Sequence, residues 1–556
     1  MSAFLARLAR LLTRRWGRGL IGTVAVLAVL IGVSAASGPA ADDFSIPNTD
    51  SQEVVDLLEA HSPLQAGADS QVVFTAKSGT LNDPQNKAAV EAAVAKLAAL
   101  DDVVAAPSPF AGGAQSQNIS PDGTVGLTTV MYDIKPAEVK RDDGIKLLDA
   151  AEAASTPEVA VNVRGTMADI AAESEIPIGE LAGIVVAGFL LFFLFRSAAA
   201  MLVTLLAAVI GVILAQALLA AVAQPLGLPS FAAFLAALLG LGAGIDYALL
   251  VIGRFREQRA AGYSVGDSAA KAAATAGSAV VTAGLIVMVA IAGLLAIGIP
   301  FIGKMGLGAA VGVFAVVISA ITVLPMLIGA FAKRLKPKKA EHVAASPAFS
   351  RWGEIVTARP IVSVVAGVLI LLVFAIPALD MRIGQPDDGN KPEGNTARLA
   401  YDSLNKGFGP GSNGPLLIAV DLPKGDPGNE AALANLQAKV AATPGVLAAV
   451  PPRVSEDGEI ATLVAIPKTS PQDEATSELL TTLRDDVVPA ATQGTQLRAF
   501  IGGQTAALED LSAKTASGLP VFIAVVIGLS VILLMAAFRS LWIPLVSAVF
   551  NLLSVA

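Results

Sequence analysis

The stretch FAAFLAALLGLGAGIDYALLVIG, Phe231–Gly253, decides how this chain is read. It is apolar except at Asp246 and Tyr247, and it is long enough to cross a bilayer as a helix. A charged carboxylate at the centre of such a helix costs at least ~2.5–3.5 kcal/mol on insertion scales. A sequence keeps one there when protonation, pairing or water accompanies its function. Tyr247 follows the acid directly, and Gly240, Gly242 and Gly244 precede it.

The rest of the composition agrees with a membrane protein. The 556 residues have a mean hydropathy of +0.67 and only 15% charged residues, which excludes a soluble or disordered chain. Cysteine is absent, so disulfides and thiol chemistry are excluded. With His61 and His342 as the only histidines, no histidine cluster for a metal is expected. No nucleophile–base set or phosphate-binding lysine motif occurs, and Gly240–Gly244 is a poor dinucleotide fingerprint inside an apolar span. The chain is therefore read as a non-enzyme with no catalytic or metal site, no cofactor and no nucleic-acid partner.

Apolar windows predict spans at 19–37, 178–195, 198–222, 229–252, 276–299, 306–332, 361–379 and 519–537, with a ninth beginning near Leu541. The small residues at 33–40 (VSAASGPA) resemble a signal-peptide cleavage site, but the repeat described below needs a retained helix. The tail 1–18 carries five arginines and no acid, and the segments 254–259 and 333–339 are also basic. The positive-inside rule places them in the cytoplasm. The linker 333–360, which includes Trp352, is expected to form an amphipathic helix along the inner leaflet. The long polar segments 38–177 and 380–518 hold 22 acids against 8 bases and 18 against 11, and are predicted to be extracytoplasmic.

The chain is built twice. A span, a long polar segment and a second span ending in Phe-Arg-Ser occur at Phe195–Ser197 and again at Phe538–Ser540. Related stretches lie upstream, VRGTMADI at 163–170 and IGGQTAALEDL at 501–511. Each polar segment reads as βαββαβ, a ferredoxin-like order. The first has strands near 71–77, 102–107, 123–134 and 158–165 with helices at 84–100 and 137–154. The second has strands near 415–422, 445–450, 458–467 and 496–503 with helices at 428–442 and 473–489. Asp246 lies 50 residues after Arg196, and the same offset from Arg539 falls past Ala556. The second half is therefore expected to be incomplete.

One span, an outer domain, five more spans (178–332) and then the same again resembles the RND superfamily of transporters. Within it, GIDYALLVIGRFRE at 244–257 looks like the fourth-span signature of the MMPL family. The resemblance implies a multi-pass protein of the bacterial cytoplasmic membrane, with two extracytoplasmic porter domains and a five-span block shared with sterol-sensing domains. It implies export or flipping of a lipid or other hydrophobic molecule by proton antiport, with Asp246 and Tyr247 as the proton relay facing a Tyr–Asp pair of the tenth span. Membrane lipids or hydrophobic small molecules are the implied substrates; a homo-oligomer and accessory envelope proteins are the implied partners. Two other readings stay open, a SecDF-like accessory to protein translocation and a lipid-sensing scaffold.

Other residues carry a structural reading beside a functional one. Gly240, Gly242 and Gly244 suit close helix packing. Arg254, at the end of the span, suits interfacial anchoring or gating. Glu180, at the start of the second span, sits where a lipid would enter, or is an ordinary interfacial acid. Lys304, in the turn 299–306, would meet an anionic headgroup or simply snorkel to the interface.

Overall fold

The computed structural model describes residues 1–36, 44–62, 67–111, 118–134, 139–172, 178–335, 347–377 and 387–555. In chain order, α1 (Ser2–Arg14), α2 (Trp16–Ala36) and α3 (Asp50–His61) lead into a first α/β module. That module is β1 (Asp69–Ala76), α4 (Pro84–Ala98), β2 (Val103–Ala105), β3 (Val125–Tyr132), α5 (Arg141–Ala154) and β4 (Val159–Gly165), closed by α6 (Thr166–Ala172). There follow α7 (Ile178–Phe195), α8 (Ala198–Leu226), α9 (Phe231–Ala260), α10 (Val265–Ile297) and α11 (Pro300–Ala330). Next come α12 (Pro347–Ala358), α13 (Pro360–Ala375) and α14 (Thr396–Phe408). The second module is β5 (Leu416–Asp421), α15 (Asn429–Ala442), β6 (Val446–Val454), β7 (Ile460–Pro467), α16 (474–492, with a π turn at Leu483–Val487) and β8 (Arg498–Gly502). The helices α17 (Gln504–Phe538) and α18 (Trp542–Val555) complete the described chain.

These elements form two compact units. The helical unit holds residues 1–44, 176–382 and 515–556; the α/β unit holds 45–175 and 383–514.

Among the described residues, six helices are long and apolar enough to cross a membrane: α2, α8, α9, α10, α11 and α17. The pair α12–α13 would count as a seventh, bent by 101° at Arg359, where Pro360 follows. The helices α7 and α18 supply shorter apolar stretches at Ala182–Phe195 and Trp542–Leu553. The C-terminal ends of α7 and α17 explain the repeated Phe-Arg-Ser. Arg196 and Arg539 both adopt left-handed backbone (φ 48° and 50°), and their amides donate to Phe192 O at 2.7 Å and Met535 O at 2.8 Å. Ser197 then caps α8 by accepting from the Ala200 amide at 3.4 Å. The motif is thus a helix stop and restart, which accounts for both arginines structurally.

The centre of the unit is α11, and small residues bring its neighbours close. A Cβ on Gly312 would fall 2.4 Å from Ala236 Cβ, and one on Gly308 would fall 2.6 Å from Ala232 Cβ. Without side chains there, α9 packs backbone to backbone against α11, the contact that works where lipid removes any hydrophobic driving force. The segment 1–18, expected to be a tail, instead begins as an ordered helix. Leu5, Ala9 and Thr13 recur at helical spacing and are buried against α10 and α11. Thr13 Oγ1 donates to Pro325 O at 3.2 Å, and Arg10 pairs with Asp267 at 3.0 Å. Of the predicted basic helix, 336–346 lie outside the described residues; Trp352 is exposed on α12.

The α/β unit contains two four-stranded antiparallel sheets, ordered β2-β3-β1-β4 and β6-β7-β5-β8. One face of the first sheet packs on α4 and α5 around Phe74, Leu97, Val130 and Leu147. The matching face of the second packs on α15 and α16 around Ile418, Leu436, Leu463 and Leu483. Helices missing from the expected element order cover the opposite faces, and they are exchanged. Helix α3, which precedes the first module, packs Val54 and Leu58 on Ala419 and Ile460 of the second. Helix α14, which precedes the second, packs Ala400 and Leu404 on Val73 and Val125 of the first. Thr396 Oγ1 accepts the Val163 amide of β4 at 2.8 Å, and Gly502 leaves room for Val54, which would lie 2.8 Å from an added Cβ.

Two arginines hold these exchanged segments. Arg164 of β4 pairs with Asp388 at 3.0 Å and donates to Asn413 Oδ1 at 2.6 Å. Arg484 pairs with Asp510 at 2.5 Å, donates to Ile501 O at 2.7 Å and reaches Asp50, at the start of α3, at 3.5 Å. Leu404→Ala should therefore cost about 3 kcal/mol. Its amide exchange should rise in β1 and β3, far away in sequence, and hydrogen-exchange mass spectrometry can map this. A rise confined to 416–502 would contradict the exchanged packing.

Candidate functional site

On α9 the small residues fix which way each side chain turns. Gly240 faces Val316, 3.1 Å from an added Cβ, and Gly244 faces Ala208, whose Cα would be 3.2 Å away. That face is buried, together with Tyr247, Val251 and Phe255. Tyr247 enters the helical core, where a Cβ on Gly284 of α10 would lie 3.6 Å from its hydroxyl oxygen.

Asp246, one residue earlier and so about 100° around the helix, is exposed. It shares an open face with Leu239, Gly242, Leu250 and Gly253, all exposed. Neither Gly242 nor Gly253 would bring an added Cβ within 4 Å of another atom. Asp246 and Tyr247 thus stand on different sides of one helix. The three glycines also divide, two packing and one lining the carboxylate's face. In an apolar medium a carboxylate on an open face either carries a proton or meets water or another polar group.

The remaining candidates resolve separately. Arg254 is exposed and pairs with Glu257 at 2.8 Å within its own helix. Arg256, in the same basic segment, makes the interhelical contact, donating to Phe195 O at 2.9 Å with its guanidinium 5.5 Å from the Phe195 ring centre. Lys304 lies in the first turns of α11, partly buried, near the C-terminus of α8; its Nζ would be 3.5 Å from a Cβ on Gly227. An ammonium there suits the negative end of that helix. Glu180 belongs to the first turn of α7, and its side chain lies outside the described residues.

The α/β unit adds a recess of about 550 Å³ between its two modules. Asp69, Gln71, Arg164, Asp169 and Asp388 line it from one side, and Asn413, Leu417 and Gln504 from the other. Burial alone would depress Lys391, but Asp169 and Asp388 outweigh it and hold the ammonium protonated. Sequence reading missed this recess because its walls come from stretches more than 200 residues apart.

Comparison with known proteins places these features in context. The model of the MMPL family matches residues 43–363 and 391–556. The chain is similar to membrane protein YdfJ of Bacillus subtilis, at 32% identity over 98% of this chain and 75% of that protein. It is also similar to the mycolic acid-containing lipids exporter MmpL11 of Mycolicibacterium smegmatis, at 25% identity over 96% of this chain and 57% of the exporter. A third relative is the heme uptake protein MmpL11 of Mycobacterium tuberculosis, at 27% identity over 65% of this chain and 38% of that protein. The chain spans little more than half the length of the first of these two MmpL11 proteins.

The glycine geometry makes a direct prediction. Gly242→Ala should insert and melt like the native protein, because its Cβ enters open space. Gly244→Val should lower the melting temperature and the yield of folded protein, because it collides with the α8 backbone. Thermal denaturation in detergent distinguishes the two, and equal effects would contradict the assigned helix rotation.

Proposed function

The chain belongs to the MMPL family of membrane transporters, and on that premise we propose that it exports or flips a lipid or other hydrophobic substrate, driven by the proton gradient. The observation that carries this reading is Asp246, a carboxylate in the middle of an apolar span, on an open face edged by Gly242 and Gly253. Protonation removes the cost of its charge, and deprotonation restores it. Each change of state therefore alters which surroundings α9 tolerates. In this reading Tyr247 does not share the open face. It anchors α9 against α10 and α11, so that a change at Asp246 is felt by the packed helices.

Substrate class enters by analogy. One relative is named for mycolic acid-containing lipids and another for heme uptake, and both cargoes are large and hydrophobic. The polar recess of the α/β unit suits the polar end of such a molecule, with Arg164 and the carboxylates around it as hydrogen-bonding groups. In the proposed topology α1 and the basic segment 254–259 are cytoplasmic, and the acidic α/β unit is extracytoplasmic.

Two experiments test this. Asp246→Asn should abolish substrate export while membrane insertion and melting stay native, and a proton-gradient uncoupler should reproduce the loss in the native protein. Export unchanged by the variant would refute the proton role. Because the chain lacks cysteine, single cysteines report sidedness directly. In intact cells an impermeant maleimide should label Glu456→Cys and spare Ala261→Cys; the reverse pattern would invert the topology.

A further inference from the structure

A site remains that the transport reading does not use. At the C-terminal end of α3, His61 turns toward the β6–β7 hairpin of the second module, 396 residues away in sequence. Its Nδ1 lies 2.8 Å from Asp457 Oδ2 and 3.7 Å from Glu459 Oε2. All three atoms fall within 4.8 Å of one another. Ligands around a tetrahedral zinc, at bond lengths of about 2.0–2.1 Å, stand roughly 3.3 Å apart. The two observed separations bracket that value.

The other oxygens of both carboxylates are already engaged. Asp457 Oδ1 accepts from Ser455 Oγ at 2.6 Å and from the Glu459 amide at 3.0 Å. Glu459 Oε1 accepts from Lys424 Nζ at 2.6 Å. Each carboxylate is therefore oriented through one oxygen, leaving the other turned to the imidazole, as outer-shell partners orient metal ligands. The negative end of α3 adds a further preference for a cation. The sequence reading set metals aside because two histidines make no cluster, but folding brings two acids to His61.

We infer that His61, Asp457 and Glu459 form a divalent-cation site suited to Zn²⁺, with solvent completing the coordination. One imidazole nitrogen and two carboxylate oxygens are a donor set zinc accepts, and zinc outcompetes magnesium and manganese at a site containing nitrogen. Two carboxylates neutralise the ion, and any proton on His61 Nδ1 leaves to solvent as the metal binds. Lys424 stays on the oxygen of Glu459 that the metal does not use. The bound ion would fasten the exchanged helix α3 to the module it covers, a clamp independent of Asp246.

The test uses the whole chain in detergent, stripped with EDTA and titrated with ZnCl₂ by calorimetry, with Co²⁺ absorption as a second readout. The expected result is one saturable site per chain, a raised melting temperature and the visible spectrum of tetrahedral cobalt. His61→Ala and Glu459→Gln should each abolish saturable binding, and Ser455→Ala should weaken it about 10-fold by releasing Asp457. Because His61→Ala could loosen α3, the variant Glu459→Gln, whose hairpin keeps its Ser455–Asp457 bonds, provides an independent check. No saturable binding by the native chain overturns the inference, and so does binding that survives both ligand substitutions.

Discussion

The helical unit depends on the absence of side chains where α9 meets α11 and α8. Gly308 and Gly312 each face an alanine at distances no Cβ would allow, and Gly244 faces Ala208 with little room to spare, so the three helices lock at one rotation. In lipid such contacts replace the hydrophobic effect as the source of specificity. The consequence for chemistry is immediate. With Gly240 and Gly244 turned inward, Tyr247 must be inward as well, and Asp246 must stand on the open side. The position of one carboxylate is thus decided by residues that carry no functional group.

The α/β unit solves a different problem. A four-stranded sheet with helices on one face leaves the other face bare, and small modules bury too little surface to leave it so. Here each module covers the bare face of the other by exchanging the helix that precedes it. Arg164 and Arg484 then hold the starts of the exchanged segments through Asp388 and Asp50. Breaking the nearly buried Arg164–Asp388 pair strands a charge and typically costs about 3–5 kcal/mol, whereas the more exposed Asp50 contributes far less. The recess between the modules follows from the same interlock, since both sheets contribute to its walls.

Much of this was legible in the sequence. Long apolar windows marked the long apolar helices, and strand alternation separated by helical spacing marked both sheets, because those signals are local. The repeated Phe-Arg-Ser was visible too, although only the left-handed Arg196 and Arg539 show why it recurs. The rest was not local. Helix α1 was read as a tail because its five-arginine neighbourhood hides the spacing of Leu5, Ala9 and Thr13. Helices α3 and α14 went unread although both carry caps, Thr49 accepting from Gln52 and Asn395 from Ala397. Their apolar faces are narrow, and their partners lie in the other half of the chain. The separation of Gly242 from Gly240 and Gly244, and of Asp246 from Tyr247, requires knowing which face of α9 is covered.

The central claim is that Asp246 carries protons. The most direct measurement is proton movement itself, followed with an entrapped pH-sensitive dye in vesicles containing the protein under an imposed pH gradient. The native protein should move protons, and Asp246→Asn, inserted to the same level, should not. Equal proton movement by both would contradict the account.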